Sequence, residues 1–137
     1  MGFVYADITL VNAEDKIKAQ IGVIDESEIR QTTLTAIVDT GVGRLAISED
    51  IRQLLGLQVK SFRQAELADG TLKKYDLAGP VTVQWKNRAA LCQAMVVPNA
   101  SEVLLGVLPL EDMDLIVDPV SQELVGAHGD EILEKLK

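Results

Sequence analysis

Apolar and polar residues alternate over much of this chain, and a period of two predicts strands with one buried face. Val4 to Val11 and Lys16 to Val23 both read this way, with Asn12 to Asp15 as the turn between them and Asp25 to Arg30 as a polar connection. Thr32 to Val38, rich in threonine and branched apolar residues, predicts a strand that runs straight into Asp39-Thr40-Gly41. The period then changes. Ser48-Glu49-Asp50 caps a short helix over Glu49 to Leu55. Ser48 can accept backbone N–H groups there, and the acids suit the positive end of the helix dipole. Ile51, Leu54 and Leu55 are expected on its inner face, and Gly56 ends it.

Val59 to Leu67 and Leu72 to Trp85 are strand runs on either side of Ala68-Asp69-Gly70-Thr71, and Asp-Gly between two such runs is a strong hairpin signal. Gly79-Pro80 interrupts the second run as a bend or bulge on an edge. Ala89 to Val97 is a further strand, closed by Pro98-Asn99, and Val103 to Gly106 is short and apolar, as a buried strand would be. Pro109 starts a helical turn through Met113, with Glu111 and Asp112 at its favourable end. Leu115 to Val117, the turn Asp118 to Ser121, and Glu123 to Val125 predict a closing hairpin. Residues 126–137 are polar and read as a tail or as a short helix from Asp130. No internal repeat, linker or second domain is visible, so the expectation is one all-β domain over 1–137 with its core in about 4–125.

Composition narrows the function classes. At 137 residues the chain can bury a real core, and 47% hydrophobic against 25% charged residues is a globular mix. Thirteen basic against 21 acidic residues leave a net charge of −8 and a pI near 4.6. Such a surface disfavours nucleic acid and anionic membranes as partners. No apolar run is long enough to span a bilayer. Cys92 is the single cysteine, which excludes an internal disulfide and suits a reducing cytoplasm. Met1 to Leu10 contains Asp7 and lacks the basic-then-apolar layout of a signal peptide.

Asp39-Thr40-Gly41 is the candidate chemistry. Aspartate, threonine and glycine are also ordinary turn residues, so the triplet by itself equally describes a strand that simply ends. Its context adds to it. Four blocks follow one another: Ala36 to Gly41; Leu45 to Ser48 with Glu49 to Leu55 and Gly56-Leu57; Leu67-Ala68-Asp69-Gly70-Thr71; and Val103-Leu104-Leu105-Gly106 with Pro109-Leu110-Glu111. In order and spacing they resemble the retropepsin-like aspartic proteases, especially the small bacterial single-domain members, over most of residues 31–125. Two positions depart from that pattern. Val42 stands where the family usually has a small residue. The Arg that often follows the apolar-apolar-Gly segment in the viral enzymes is absent, since Val107 and Leu108 follow Gly106.

The resemblance implies a retropepsin-like β-barrel with one lobe per chain, and a homodimer, because each chain carries one Asp-Thr-Gly. Asp39 of each copy would form the catalytic dyad, Thr40 would bridge the two catalytic loops, and Gly41 would line the substrate floor. Ala68, Asp69, Gly70 and Thr71 would be the flap; an ordinary hairpin is the alternative reading of the same residues. Leu104, Leu105 and Gly106 would thread beside the catalytic loop. Two carboxylates in close contact share one proton, so one can activate a water while the other protonates the carbonyl oxygen. Such chemistry predicts faster turnover below neutral pH, on an extended polypeptide, with no metal or cofactor. Two alternatives stay open: a catalytically silent scaffold or peptide-binding module of the same fold, and an unrelated β-barrel.

Other chemistries find little support in the residues. His128 is the only histidine and lies between glycines near the end, so a Ser or Cys triad built on Ser48, Ser101 or Cys92 has no evident base. One Cys and one His cannot make a structural zinc site, and Glu111, Asp112 and Asp114 lack the glycine and spacing of a calcium loop. Gly41-Val42-Gly43 is followed by no lysine at phosphate-loop spacing. Trp85 and Tyr75 read as packing anchors, with Tyr75 near enough to the hairpin tip to touch a peptide.

Overall fold

Nine strands and three α-helices make up residues 3–129, which are the residues described by the computed structural model. In chain order they are β1 (Val4–Asn12), α1 (Ala13–Gln20), β2 (Gln31–Val38), β3 (Leu45–Ile47), α2 (Glu49–Leu55), β4 (Gln58–Glu66), β5 (Leu72–Trp85), β6 (Arg88–Val96), β7 (Leu104–Leu105), α3 (Val107–Asp112), β8 (Leu115–Asp118) and β9 (Glu123–Gly126). The protein is mainly β, as the alternating pattern predicts. None of its described helices is long and apolar enough to cross a membrane.

Seven strands form one sheet in the order β1-β2-β7-β3-β6-β5-β4, and an added pairing of β1 with β5 closes six of them into a ring. Strand β4 stays outside the ring and pairs only with β5. The closure has a local cause at Gly79-Pro80. Before it, β5 pairs with β4, ending at Gln58 opposite Gly79; after it, β5 pairs with β1, from Asn12 opposite Val81. The register against β6 shifts between Ala78 and Val81 at the same place. The predicted bulge is therefore real, but it sits inside the sheet, where β5 changes partner, and not on an edge.

Alternation sorts side chains across the ring wall. Ala6, Ile8 and Leu10 of β1 and Val81, Val83 and Trp85 of β5 point inward, joined by Ala36, Val38, Leu45, Ile47 and Leu105. Leu115 and Leu124 bring the β8–β9 hairpin onto the same core. Arg88 fastens that hairpin from inside: it is 3% exposed and donates to the carbonyls of Met113, Asp114 and Gly129. Asp114 in turn lies 2.7 Å from His128, and Ala127 N–H donates to the Asp114 carbonyl. Residues 126–129 are thus packed against β8, so the expected polar tail does not begin at Gly126. The alternative of a helix from Asp130 concerns residues outside those described.

The largest departure from the alternating pattern is α1. Lys16 to Val23 reads as a strand, yet Ala13–Gln20 is helical. The Asn12 side chain caps the helix by accepting the Asp15 N–H, Glu14 and Asp15 occupy its first turn, and Lys18 its last. Ala, Glu, Lys and Gln are strong helix formers. The apolar residues that suggested alternation have no face to bury, since Ile17, Ile21 and Val23 are all more than half exposed. Asp15 points inward and holds Arg30 through its backbone N–H and guanidinium at 2.8–3.0 Å, which returns the chain to β2.

Helix α2 is capped as its sequence predicts: Ser48 accepts the Ile51 N–H and Gly56 closes the end with φ of 63°. Only Leu55 and Ile51 pack inward; Leu54 is 57% exposed, because i and i+4 share the inner stripe here. Helix α3 starts two residues before Pro109, from Gly106, so Glu111 and Asp112 lie in its last turn instead of its first.

Candidate active site

Asp39 leaves the end of β2 at the point where that strand is held on both sides. Val38 pairs with Val4 of β1 in antiparallel register and with Leu105 of β7 in parallel register. Beyond the pairing, Ile37 N–H donates to the Val103 carbonyl at 2.9 Å and Asp39 N–H to the Leu105 carbonyl at 3.0 Å. The backbone carrying the carboxylate is therefore part of the ladder.

The loop after Asp39 folds back on itself. Gly41 N–H donates to Asp39 Oδ1 at 2.9 Å, and Val42 N–H to the Asp39 carbonyl at 3.2 Å. A Cβ on Gly41 would stand 3.2 Å from that same Oδ1, a tight contact that the carboxylate would relieve by shifting a few tenths of an ångström. Farther along, the carbonyls of Val42 and Gly43 accept the N–H groups of Val107 and Leu108 at 2.8 and 2.9 Å. These are orphan donors of the first turn of α3, satisfied by the loop. Gly106 lies between the two segments so closely that a Cβ there would strike the carbonyl oxygens of Val42 and Arg44.

The structure thus brings together Asp39, Thr40 and Gly41 with Leu104, Leu105 and Gly106, as the four-block order suggests. Asp39 is half-buried, while Thr40 and Gly41 are exposed. Thr40, being exposed, is accessible to another surface.

The β4–β5 hairpin is formed, and its tip is a closed turn. Leu67 N–H donates to the Thr71 carbonyl at 2.7 Å, Gly70 N–H to the Leu67 carbonyl at 2.9 Å, and Thr71 N–H to Asp69 Oδ1 at 2.9 Å. Hydrogen bonds from Thr71, side chain and then backbone, hold the Asp69 carboxyl below its ordinary range. Ala68, Asp69, Gly70 and Thr71 are all exposed. What faces the Asp-Thr-Gly loop is the strand and not the tip: an open groove of about 440 Å³ runs between Gly41–Arg44 and Arg63–Ala65, with Met95 of β6 as floor. Arg44, Arg63, Gln64 and Met95 line this candidate groove, and motif reading passes over them. Position was their only signal, with Arg44 just after the triplet and Arg63 one strand-length before the hairpin tip.

Other chemistries gain nothing from the geometry. Burial pushes the Cys92 thiol up to about 11, with Asp112 adding to the effect and Arg44 opposing it, so at neutral pH it is a protonated thiol and a poor nucleophile. Among the described residues no group of three or more His, Cys, Asp or Glu is placed to hold a metal ion. Compared with known proteins, the chain matches no family model and no curated protein.

Proposed function

We propose that this protein is an aspartic endopeptidase of the retropepsin-like type, in which two copies each contribute Asp39 to one catalytic dyad. The observation that carries the reading is the setting of Asp39: a half-buried carboxylate at the end of a core strand, oriented by the Gly41 N–H and laddered to Leu105, beside a groove under a projecting hairpin. Rigid placement of that kind is what acid–base catalysis asks of a carboxylate. A shared proton between two such groups lets one take a proton from water while the other donates to the amide carbonyl. The substrate is an extended polypeptide lying in the groove, with the hairpin closing over it.

A second reading, a peptide-binding module without turnover, is favoured by one fact: a single chain supplies one Asp-Thr-Gly. Solution mass by light scattering across concentration, combined with Asp39→Asn, separates the two. The protease reading expects a dimer and cleavage of an unstructured protein such as casein, with Asp39→Asn lowering the rate by about 10²–10⁴-fold while leaving dimer mass unchanged. A strict monomer at all concentrations, or an Asp39→Asn variant that cleaves like the wild type, refutes it.

A further inference from the structure

We propose that the groove beside the Asp39 loop selects polypeptide segments carrying an acidic side chain next to an apolar one, with Arg44 and Arg63 reading the carboxylate. The proposal rests on the endopeptidase reading only in treating the groove as the substrate's path.

Charge is distributed unevenly in this protein. The whole chain carries −8, yet residues 58–75 hold Lys60, Arg63, Lys73 and Lys74 against Glu66 and Asp69. Three of those four cations are already engaged. Lys60 lies 3.6 Å from Glu14, Lys74 sits 3.7 Å over the Phe62 ring, and Lys73 is 5.7 Å from the Tyr75 ring. Arg63 gives one hydrogen bond, from Nη1 to the Phe62 carbonyl at 3.1 Å, and keeps the rest of its guanidinium. Arg44 and Arg63 form no ion pair among the described residues, and they stand on the two walls of the same groove.

No carboxylate lines that groove; its other walls are Val42, Ala65, Met95, Gln64 and two glycines. A guanidinium presents a planar fork of donors that matches a carboxylate, so two of them flanking apolar surface favour Glu or Asp beside an aliphatic residue. Backbone recognition has a source too. Three consecutive residues of β4 border the groove although their side chains alternate between faces, which sets the strand's unpaired edge along it. An extended peptide can add there as a further strand. The arginines also offset the repulsion an acidic substrate would meet near Asp39.

The test uses fluorescent decapeptide pools with Glu, Gln or Lys fixed at the centre, read by anisotropy on the full-length Asp39→Asn protein, so that binding is seen without cleavage. The Glu pool is expected to bind at least about tenfold tighter than the Gln pool, and this preference should weaken in high salt. Arg63→Gln and Arg44→Gln should each reduce it, and Arg63→Glu, on an exposed strand position, should turn the preference toward the Lys pool. Equal binding of Glu and Gln pools, or no binding of either, overturns the proposal. So does a change of dimer mass in Arg63→Glu without any effect on peptide, which would make the groove a contact between copies. The two readings fail separately: wild-type cleavage without acidic preference sinks only this inference, and acidic preference without cleavage sinks only the endopeptidase.

Discussion

Replacing Gly106 by alanine tests whether the Asp39 loop is held as tightly as its hydrogen bonds indicate. The backbone at Gly106 has φ of −93° and ψ of −170°, a conformation open to any residue, so the demand for glycine is one of space and not of dihedral angle. An added Cβ would strike the carbonyl oxygens of Val42 and Arg44 and stand 2.8 Å from the Arg44 nitrogen. All three are backbone atoms, which cannot swing aside as a flexible side chain does. Relief requires the 42–44 segment to move, and that segment is tied to α3 by the bonds from Val107 and Leu108. Overpacking costs about 1–3 kcal/mol, and each weakened hydrogen bond about 0.5–1.5 kcal/mol. We therefore expect Gly106→Ala to lose about 2–4 kcal/mol, a large share of the ~5–15 kcal/mol typical of a domain.

Gly43→Ala is the matched control. It changes the same loop, but a Cβ there meets nothing within 4 Å. Stability should be unchanged or raised by less than about 1 kcal/mol, since alanine restricts the unfolded chain. Urea denaturation followed by fluorescence of Trp85, the only tryptophan and a buried one, reads both variants. On the proposed endopeptidase reading, peptide turnover should fall in Gly106→Ala by more than the folded fraction explains, because Asp39 shares the displaced loop. A Gly106→Ala protein within about 0.5 kcal/mol of wild type, or a Gly43→Ala protein equally damaged, would refute the clamp.

Two further substitutions probe how the scaffold is held. The Arg30 guanidinium beside Asp15 holds its carboxyl below the ordinary value of 3.8. A folded pKa that is depressed gives stability that is complete above the unfolded value and lost as pH falls through the folded one. Asp15→Asn should cost about 1–3 kcal/mol at neutral pH, since Arg30 can rehydrate, and the gap to wild type should close as pH drops below 3.8; a gap constant from pH 7 to pH 2 would contradict the assignment. Arg88→Met keeps the bulk of a buried side chain but removes the Arg88 donor from the carbonyls of Met113, Asp114 and Gly129, of which Asp114 keeps the Ala127 N–H. We expect a loss of about 2–4 kcal/mol, with faster proteolytic nicking at the β8–β9 hairpin; nicking at the wild-type rate would show that Arg88 does not fasten it.

Where local chemistry and tertiary packing agree, the sequence is readable. Asp69-Gly70 predicts a hairpin that forms in the expected place, Ser48 and Gly56 mark both ends of α2, and the strand into Asp39 is bounded as its threonines and branched residues suggest. Failures arise where the deciding contact lies far along the chain. Alternation over Lys16 to Val23 predicts a strand, but Ile17, Ile21 and Val23 stay exposed, and capping by Asn12 with good helix formers prevails. Closure of the ring depends on Thr9 to Asn12 finding Val81 to Gln84, a pairing between segments some 70 residues apart that periodicity cannot specify. Arg88 is invisible for a related reason. Its partners are backbone carbonyls, which every residue has, so no side-chain pattern announces them. Asp39 was legible as a motif and Leu104 to Gly106 as its neighbour. The two arginines of the groove carry no motif; they matter only because β4 folds back over the loop.

The shortest strand explains why fold and site come together. Strand β7 has two residues, yet it pairs in parallel with β2 and antiparallel with β3, so the ring closes through it. The same few residues accept the Ile37 and Asp39 N–H groups and pass into the helix that grips the loop at Val42 and Gly43. The Asp39 loop therefore cannot loosen without opening the ring, and its geometry is set within one chain. The β4–β5 hairpin is the opposite case. Beyond residue 60 it has almost no buried side chains until Leu77, and β4 has one sheet neighbour instead of two. Mobility belongs to elements with few buried contacts. On the endopeptidase reading proposed above, a fixed Asp39 loop beside a loosely anchored hairpin divides positioning from substrate entry, the division a peptide-cleaving site requires: the acid–base groups must not move, and the cover must.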